Sequence, residues 1–205
     1  MLNMFKSKKN PDMATLVKSN AKLLAAGPLM IPALFLLGLT GAVPYKDFPE
    51  AKIGLFGLFC LAQGAGLTPL IASSSFEAIT GAALSTGCTM GALGAVTYCA
   101  PSQQFLSYNL PLGLLCGAMV GVSMASIALP QSRAIYNVWL WGGLGVFSAF
   151  TIYDVQVCLH KIRHEENYDP IENTLELYMD AMNLFVRFLA VMNEMDKSDK
   201  SDKKE

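Results

Sequence analysis

The chain has 205 residues, of which 53% are hydrophobic and only 15% are charged, with a net charge of −1. Soluble domains carry about 25% charged residues, and here Glu77 is the single charged side chain between Ile53 and Leu129. This composition excludes an ordinary soluble domain and predicts an all-α, polytopic membrane helical bundle that has the lipid bilayer as its partner. The charge gives no support for a nucleic-acid partner.

The chain opens with a basic N-terminal arm, residues 1–22, in which five lysines face one acid, Asp12. We interpret it as a solvated arm that fixes orientation, with the remnant of an organelle-targeting segment as the alternative. Residues 23–192 form the predicted bundle of about six helices: 23–43, 53–72, 79–99, 110–129, 135–159 and 171–192. Whether the last helix spans or re-enters is open. The tail, residues 193–205, alternates Lys, Asp and Ser and is predicted to be disordered.

The five cysteines lie singly in apolar runs, which indicates small buried side chains and no disulfide framework. No HExxH motif, phosphate-binding Gly-rich loop or nucleophile elbow occurs, so we expect neither an enzyme nor a cofactor. His160 and His164 lie beside Glu165 at a spacing that suits a metal. A solvated pair at the membrane edge is the better interpretation, and we predict no metal site.

Two sets of glycines recur every four residues in the apolar helices. Small residues at this spacing let helices approach closely in lipid. We expect these glycines to pack helices within the chain, in preference to forming a homodimer seam. The positions are Gly87 and Gly91 in one helix and Gly113, Gly117 and Gly121 in the next.

Two carboxylates stand where a bilayer disfavours them. Asp154 follows an uncharged run from Ile135 to Tyr153, with Gln156 close behind, and Asp180 lies inside the last predicted helix. A charge at mid-bilayer costs at least about 2.5–3.5 kcal/mol and usually faces a bundle interior. A polar stripe with helical spacing accompanies Asp180: Glu176, Asp180, Asn183 and Arg187.

Two interpretations of this stripe are open. The last helix is an interfacial amphipathic helix and Asp154 marks the water end of its own helix, or the stripe turns inward and Asp154 meets Asp180. In the second case the two acids share a proton, because like charges so close do not both ionise cheaply. They would then form a proton-controlled latch or a weak cation site.

At these residues the chain resembles the Bax inhibitor (transmembrane BAX inhibitor motif) family, most closely its mitochondrial branch. The resemblance covers roughly residues 61–189 and is carried by the stretches APSQQFL (100–106), PLG (111–113), GGLGVFSAFTIYDVQ (142–156) and YDPIENTLELYMDAMNLFVRF (168–188). It implies a bundle with the last helix tucked inside, and it implies that Asp154 and Asp180 are the family's paired aspartates, tied to pH-dependent calcium or proton leak.

For location and partners the resemblance implies a multi-pass protein of the mitochondrial inner membrane, linked to calcium/proton exchange and to cristae and respiratory-complex organisation. The family has seven helices, so the first one is expected to be missing here. Bacterial members of the family also have a membrane arginine that is the partner of the aspartates. That partner is absent here unless Arg187 or Lys46 substitutes. Two hypotheses follow: a pH-regulated calcium/proton pathway gated by the aspartates, or a non-catalytic accessory subunit of a larger inner-membrane complex.

Overall fold

The computed structural model describes residues 33–101, 105–129, 132–166 and 168–202. The basic arm and the first half of the first predicted helix lie outside these residues. Within the described ranges the secondary structure is helical, with no strand, which confirms the all-α membrane-bundle prediction. The helices are α1 (Ala33–Ala42), α2 (Pro49–Ala72), α3 (Phe76–Cys99), α4 (Asn109–Ala128), α5 (Arg133–His164) and α6 (Pro170–Asp202).

Local signals explain where several of these helices begin. Pro49 opens α2, a position at which the missing N–H of proline costs nothing. Ser75 caps α3 through its hydroxyl, which accepts a hydrogen bond from the Ala78 amide at 3.2 Å. These caps place the starts of α2 and α3 about one turn earlier than the apolar pattern alone predicted.

The last helix, α6, runs the full length of the bundle alongside α2. At one end Lys52 of α2 forms an ion pair with Asp169, just before α6. At the other end Asn193 donates a hydrogen bond to the Ser74 hydroxyl at 2.9 Å. We call these the Lys52 end and the Ser74 end. Helix α6 therefore runs over the same length as α2, which is long and apolar enough to cross a membrane.

Helix α6 is the centre of the bundle, with α2, α3 and α5 packed around it. No side chain from Leu175 to Asn193 is exposed. Two apolar clusters hold it: one joins Ala33 and Phe59 to Leu175, and the other joins Ala78 and Ala82 to Leu189.

The outer surface of the bundle is apolar, in contrast to the partly polar central helix. Large hydrophobic side chains are exposed along α2, α3 and α4, among them Leu61, Leu84, Leu114 and Met124. Four described helical segments are long and apolar enough to cross a membrane: Pro49–Ala72, Phe76–Cys99, Leu106–Ser126 and Arg133–His164. An apolar exterior around a partly polar central helix is the arrangement expected in lipid.

The glycines that the sequence analysis expects to pack helices have open space beside them in the part of the chain that the structure describes. A Cβ built on Gly87, Gly91, Gly113, Gly117 or Gly121 meets nothing within 4 Å. These faces of α3 and α4 point outward. The small residues of α3 that pack against α6 are Ala78 and Ala82, which are buried beside Leu189 at the same four-residue spacing.

Helix α6 continues beyond Asn193 to Asp202, through part of the stretch for which the sequence predicts disorder.

Candidate functional site: a buried polar track on the central helix

One face of α6 carries polar side chains along almost the whole length of the bundle. We call this face the polar track and define it by Asn173, Glu176, Asp180, Asn183 and Arg187. Asn173 is 2% exposed, and Asp180 and Arg187 are each 4% exposed, while Glu176 and Asn183 are half-buried. The stripe that the sequence placed on one helical face therefore turns inward, and α6 is not a surface helix.

The two aspartates meet near the middle of this track. The carboxyl groups of Asp154 and Asp180 lie within hydrogen-bonding reach of each other, across the contact between α5 and α6. At 1.5 Å per residue, Asp180 stands about 16 Å from Asp169 and about 20 Å from Asn193. The pair is therefore close to mid-depth between the two ends of the bundle.

Asp180 shows why the pair needs a proton. Its Oδ2 atom is fully buried and receives no N–H or O–H donor from the described residues. A hydrogen bond between Asp154 and Asp180 forms only if one of the two keeps its proton. Two ionised carboxylates about 4 Å apart would repel by about 4 kcal/mol at an effective interior dielectric of 20, so the geometry favours one shared proton.

Two further groups surround the pair. The Thr151 hydroxyl, which is buried, lies within reach of the Asp180 carboxyl but gives its proton to the Phe147 carbonyl at 2.9 Å. Glu176 lies one turn before Asp180 and is close enough to act on both aspartates by charge repulsion. The two aspartates therefore meet beside a hydroxyl and under the negative charge of Glu176, and a proton held between them relieves this repulsion.

The Lys52 end of the track is closed by an ion pair. The Lys52 ammonium, 2% exposed, donates to Asp169 Oδ2, and Asp169 Oδ1 accepts from the Ile171 and Glu172 amides at 3.0 and 3.2 Å. Asn173 comes next along the track, and both polar atoms of its amide are buried without a well-formed hydrogen bond from the described residues. The Tyr168 hydroxyl lies beside Asn173 and contacts Cys158 Sγ at 3.6 Å.

The Ser74 half of the track is occupied by Arg187. Its guanidinium donates to the Asn183 carbonyl at 3.0 Å, to Asn183 Oδ1 at 3.2 Å and to the Trp139 carbonyl at 3.4 Å. It also lies over the rings of Trp139 and Phe147, at 5.0 and 4.5 Å from the ring centroids.

Neither Arg187 nor Lys46 forms an ion pair with Asp154 or Asp180 in the part of the chain that the structure describes. Arg187 contacts carbonyls and rings, and among the described residues no carboxylate forms an ion pair with it. Lys46 is exposed in the loop before α2. Neither residue thus takes the place of the family's membrane arginine among the described residues, because the contacts of Arg187 are with Asn183, Trp139 and Phe147.

Gln156 lies apart from the polar track, although the sequence grouped it with the stripe. It accepts a hydrogen bond from the Phe105 amide and donates to the Pro101 carbonyl at 3.1 Å. It is almost fully buried and ties the connection between α3 and α4 to α5. Its role is to position a loop.

The two histidines stack on each other at the Lys52 end of α5. Their ring centroids are 4.4 Å apart, and His164 Nδ1 contacts the His160 carbonyl at 3.0 Å. In the part of the chain that the structure describes, no group of three or more His, Cys, Asp or Glu side chains is arranged to hold a metal.

Several residues of the site were not predicted from the sequence. Lys52 and Asp169 are the ion pair at one end, Asn173 extends the track, and Trp139 with Gly143 receives Arg187. One signal was available: Asp169 precedes Pro170, an Asp–Pro pair that is typical of a helix N-terminus. The partner of Asp169, 117 residues away, left no local trace.

The chain is similar to three known relatives, which differ in organism and in the share of their length that is covered. Growth hormone-inducible transmembrane protein from Rattus norvegicus is 31% identical over 163 residues, 75% of this chain and 47% of that protein. Bax inhibitor 1 is 26% identical over 156 residues in Drosophila melanogaster and 25% over 164 residues in Arabidopsis thaliana. These two alignments cover 73% and 77% of this chain, and 63% and 64% of the relatives.

The chain thus spans between about half and two thirds of the length of these relatives. A family model described as "Inhibitor of apoptosis-promoting Bax1" matches residues 12–197. Since that match covers most of the chain, the protein belongs to the Bax inhibitor family.

Proposed function

We propose that this protein is a pH-regulated pathway for calcium or protons in the mitochondrial inner membrane, with Asp154 and Asp180 as its gate. The observation that carries the proposal is the buried Asp180 carboxyl, which lies within reach of Asp154 at mid-depth and whose Oδ2 atom has no donor from the described residues. A group arranged in this way is satisfied by a proton or by a cation. A bundle with a purely structural role would not require a buried carboxyl group without a donor.

The gate works through competition between a proton and a cation. With one proton shared, the two carboxyl groups attract and hold α5 against α6. Without it they repel, and the carboxylate oxygens of Asp154 and Asp180 are free to attract a passing cation such as calcium. Occupancy of the site therefore depends on pH, and the contact between the two helices depends on occupancy.

The test is flux through purified full-length protein in liposomes, measured for calcium and for protons on both sides of neutral pH. We expect pH-dependent flux in the wild type. Asp180→Asn should abolish the pH dependence, because an amide donates to Asp154 at every pH. The matched control is Glu77→Gln, which neutralises an exposed acid far from the pair and should behave as wild type. Flux equal to that of empty vesicles would refute the proposal.

The location is supported by the similarity to growth hormone-inducible transmembrane protein and by the resemblance to the family's mitochondrial branch. Protease protection of the tagged protein in isolated mitochondria and in mitoplasts tests it. We expect protection of the protein until the outer membrane is opened. Recovery of the protein in another membrane fraction would contradict the location and would leave the gate untouched.

A second candidate function is that of a non-catalytic accessory subunit in a larger inner-membrane complex. The observation that favours it is the open outer face of α4, where Gly113, Gly117 and Gly121 have no neighbour among the described residues. Native gels in mild detergent should show a high-mass species, and Gly117→Leu should dissolve it without lowering the stability of the isolated protein. Migration as a free monomer would count against this candidate.

A further inference from the structure

Arg187 is a buried cation that the aspartate gate does not use. It stands seven residues after Asp180, about 10 Å further along the helix axis toward the Ser74 end. It is 4% exposed, and its side chain crosses the polar track to reach α5. Any ion that moves along the track from the aspartates to the Ser74 end passes this guanidinium.

The backbone of α5 leaves room for this side chain at Gly143 and the turn before it, a place that we call the socket. Gly143 is buried, and a Cβ built there would overlap Arg187 Nε and lie 2.5 Å from Cζ and 2.6 Å from Nη2. The residues just before it, Val138–Gly142, form a π-helical turn within α5, a feature that often marks functional sites. Glycine and the wide turn together let a charged side chain lie against the helix backbone.

The groups around Arg187 stabilise its charge without cancelling it. They are two carbonyls, one amide oxygen and the faces of Trp139 and Phe147. A guanidinium remains protonated under all ordinary conditions. The Ser74 half of the track therefore holds a fixed, unneutralised positive charge, whereas the middle of the track holds acids.

We propose that Arg187 is the selectivity barrier of the track: its fixed charge repels cations, and divalent ions more strongly than monovalent ones, between the aspartate pair and the Ser74 end. Fixed arginines exclude cations from other pores in this way. The inference rests on the proposed function and deepens it, since it assigns gating to the aspartates and selectivity to a residue outside the pair.

The experiment measures calcium and potassium flux through the full chain in liposomes, at the pH of maximal wild-type flux. Arg187→Met keeps the bulk of the side chain and removes its charge, and Arg187→Lys keeps the charge but loses the planar stacking. Arg187→Gln, which still donates to Asn183, replaces the Met variant if that one does not fold. The matched control is Arg133→Met, which removes an exposed cation near the Ser74 end.

We expect Arg187→Met to raise calcium flux roughly tenfold and potassium flux by less, because Coulomb repulsion scales with the charge of the ion. Arg187→Lys and Arg133→Met should stay near the wild type, and leakage of an anionic dye should not change.

Three results would overturn the barrier. They are equal flux in the wild type and Arg187→Met, equal effects of the Lys and Met variants, which would indicate a role in packing, and a rise in dye leakage. The failures are distinguishable. If the wild type conducts and Arg187→Met does not differ, the barrier falls and the proposed function stands. If neither conducts, both fall.

Discussion

Lys52 and Asp169 join the start of α2 to the start of α6 through a single carboxylate that performs two tasks. Asp169 Oδ2 accepts from the buried Lys52 ammonium, while its Oδ1 caps α6 by accepting from the Ile171 and Glu172 amides. The central helix is thereby fixed in depth relative to α2. This matters for the gate, because a shift of α6 along its axis would separate Asp180 from Asp154.

Removal of either partner should therefore destabilise the bundle. We expect Asp169→Asn to cost about 3–5 kcal/mol, because it leaves the buried Lys52 ammonium without its counter-charge, and Lys52→Met to cost less, because Asp169 is 18% exposed and keeps two amide donors. Asparagine keeps the capping oxygen, so this cost reports the ion pair and not the cap. The measurement is thermal or denaturant unfolding in detergent.

The double variant, Lys52→Met with Asp169→Asn, should recover much of that loss, since it leaves no charge behind. The control is Lys161→Gln, which breaks an ion pair with Glu172 that is 4.0 Å long and partly exposed, and it should cost less than about 1 kcal/mol. Additive losses in the double variant would show that the two residues act separately.

Asp180→Asn should change how stability depends on pH. In the wild type a rise in pH removes the shared proton, and the two carboxylates then repel by up to about 4 kcal/mol. Stability should consequently fall as the pH rises. In Asp180→Asn the amide supplies a permanent donor to Asp154, so the melting temperature should be nearly flat. Parallel curves for the variant, Glu77→Gln and the wild type would contradict the shared proton.

The class of fold followed from composition, because α2, α3 and α4 lack the polar residues that a water-facing side requires. The inward orientation of α6 did not follow in the same way. A stripe such as Asp180, Asn183 and Arg187 fits an interfacial helix as well as a central one. Only the packing of α2, α3 and α5 around α6 decides between them, and packing involves partners distant in sequence.

The candidate site was predictable to a similar extent. The aspartates were identifiable because a carboxylate in an apolar run is costly, and the cost is visible in one helix. The socket of Arg187 was not, because glycine has many uses and nothing near Gly143 in the sequence indicates a guanidinium that arrives from 44 residues away. The outward glycines show the same limit: their spacing permits close packing without saying which surface provides it.

Gln156 offers a prediction about local stability. Its side chain accepts from the Phe105 amide and donates to the Pro101 carbonyl, so it anchors the connection between α3 and α4. Gln156→Leu leaves both backbone groups without this partner and should cost about 1–3 kcal/mol. Hydrogen exchange should accelerate at the Phe105 amide and remain unchanged at the Ala78 amide, which Ser75 protects at the opposite end of α3. Unchanged exchange at Phe105 would show that the anchor is dispensable.

The socket of Arg187 yields a sharp comparison between two glycines of α5. Gly143→Ala places a methyl group where the guanidinium lies, so Arg187 must give up its contacts with Trp139. We expect a loss of about 1–3 kcal/mol, typical of overpacking. Gly145→Ala meets nothing within 4 Å and should stabilise the helix by roughly 0.5–1 kcal/mol, because alanine loses less backbone entropy than glycine.

A spectroscopic measurement separates displacement of Arg187 from general loss of stability. The chain has two tryptophans, so Trp141→Phe leaves Trp139 as the sole emitter, under the guanidinium at 5.0 Å. In that background Gly143→Ala should shift the Trp139 emission toward the spectrum of Arg187→Met, and Gly145→Ala should not. If both alanine variants left the emission unchanged, Arg187 would not occupy this socket, and its position across the polar track would have to be abandoned.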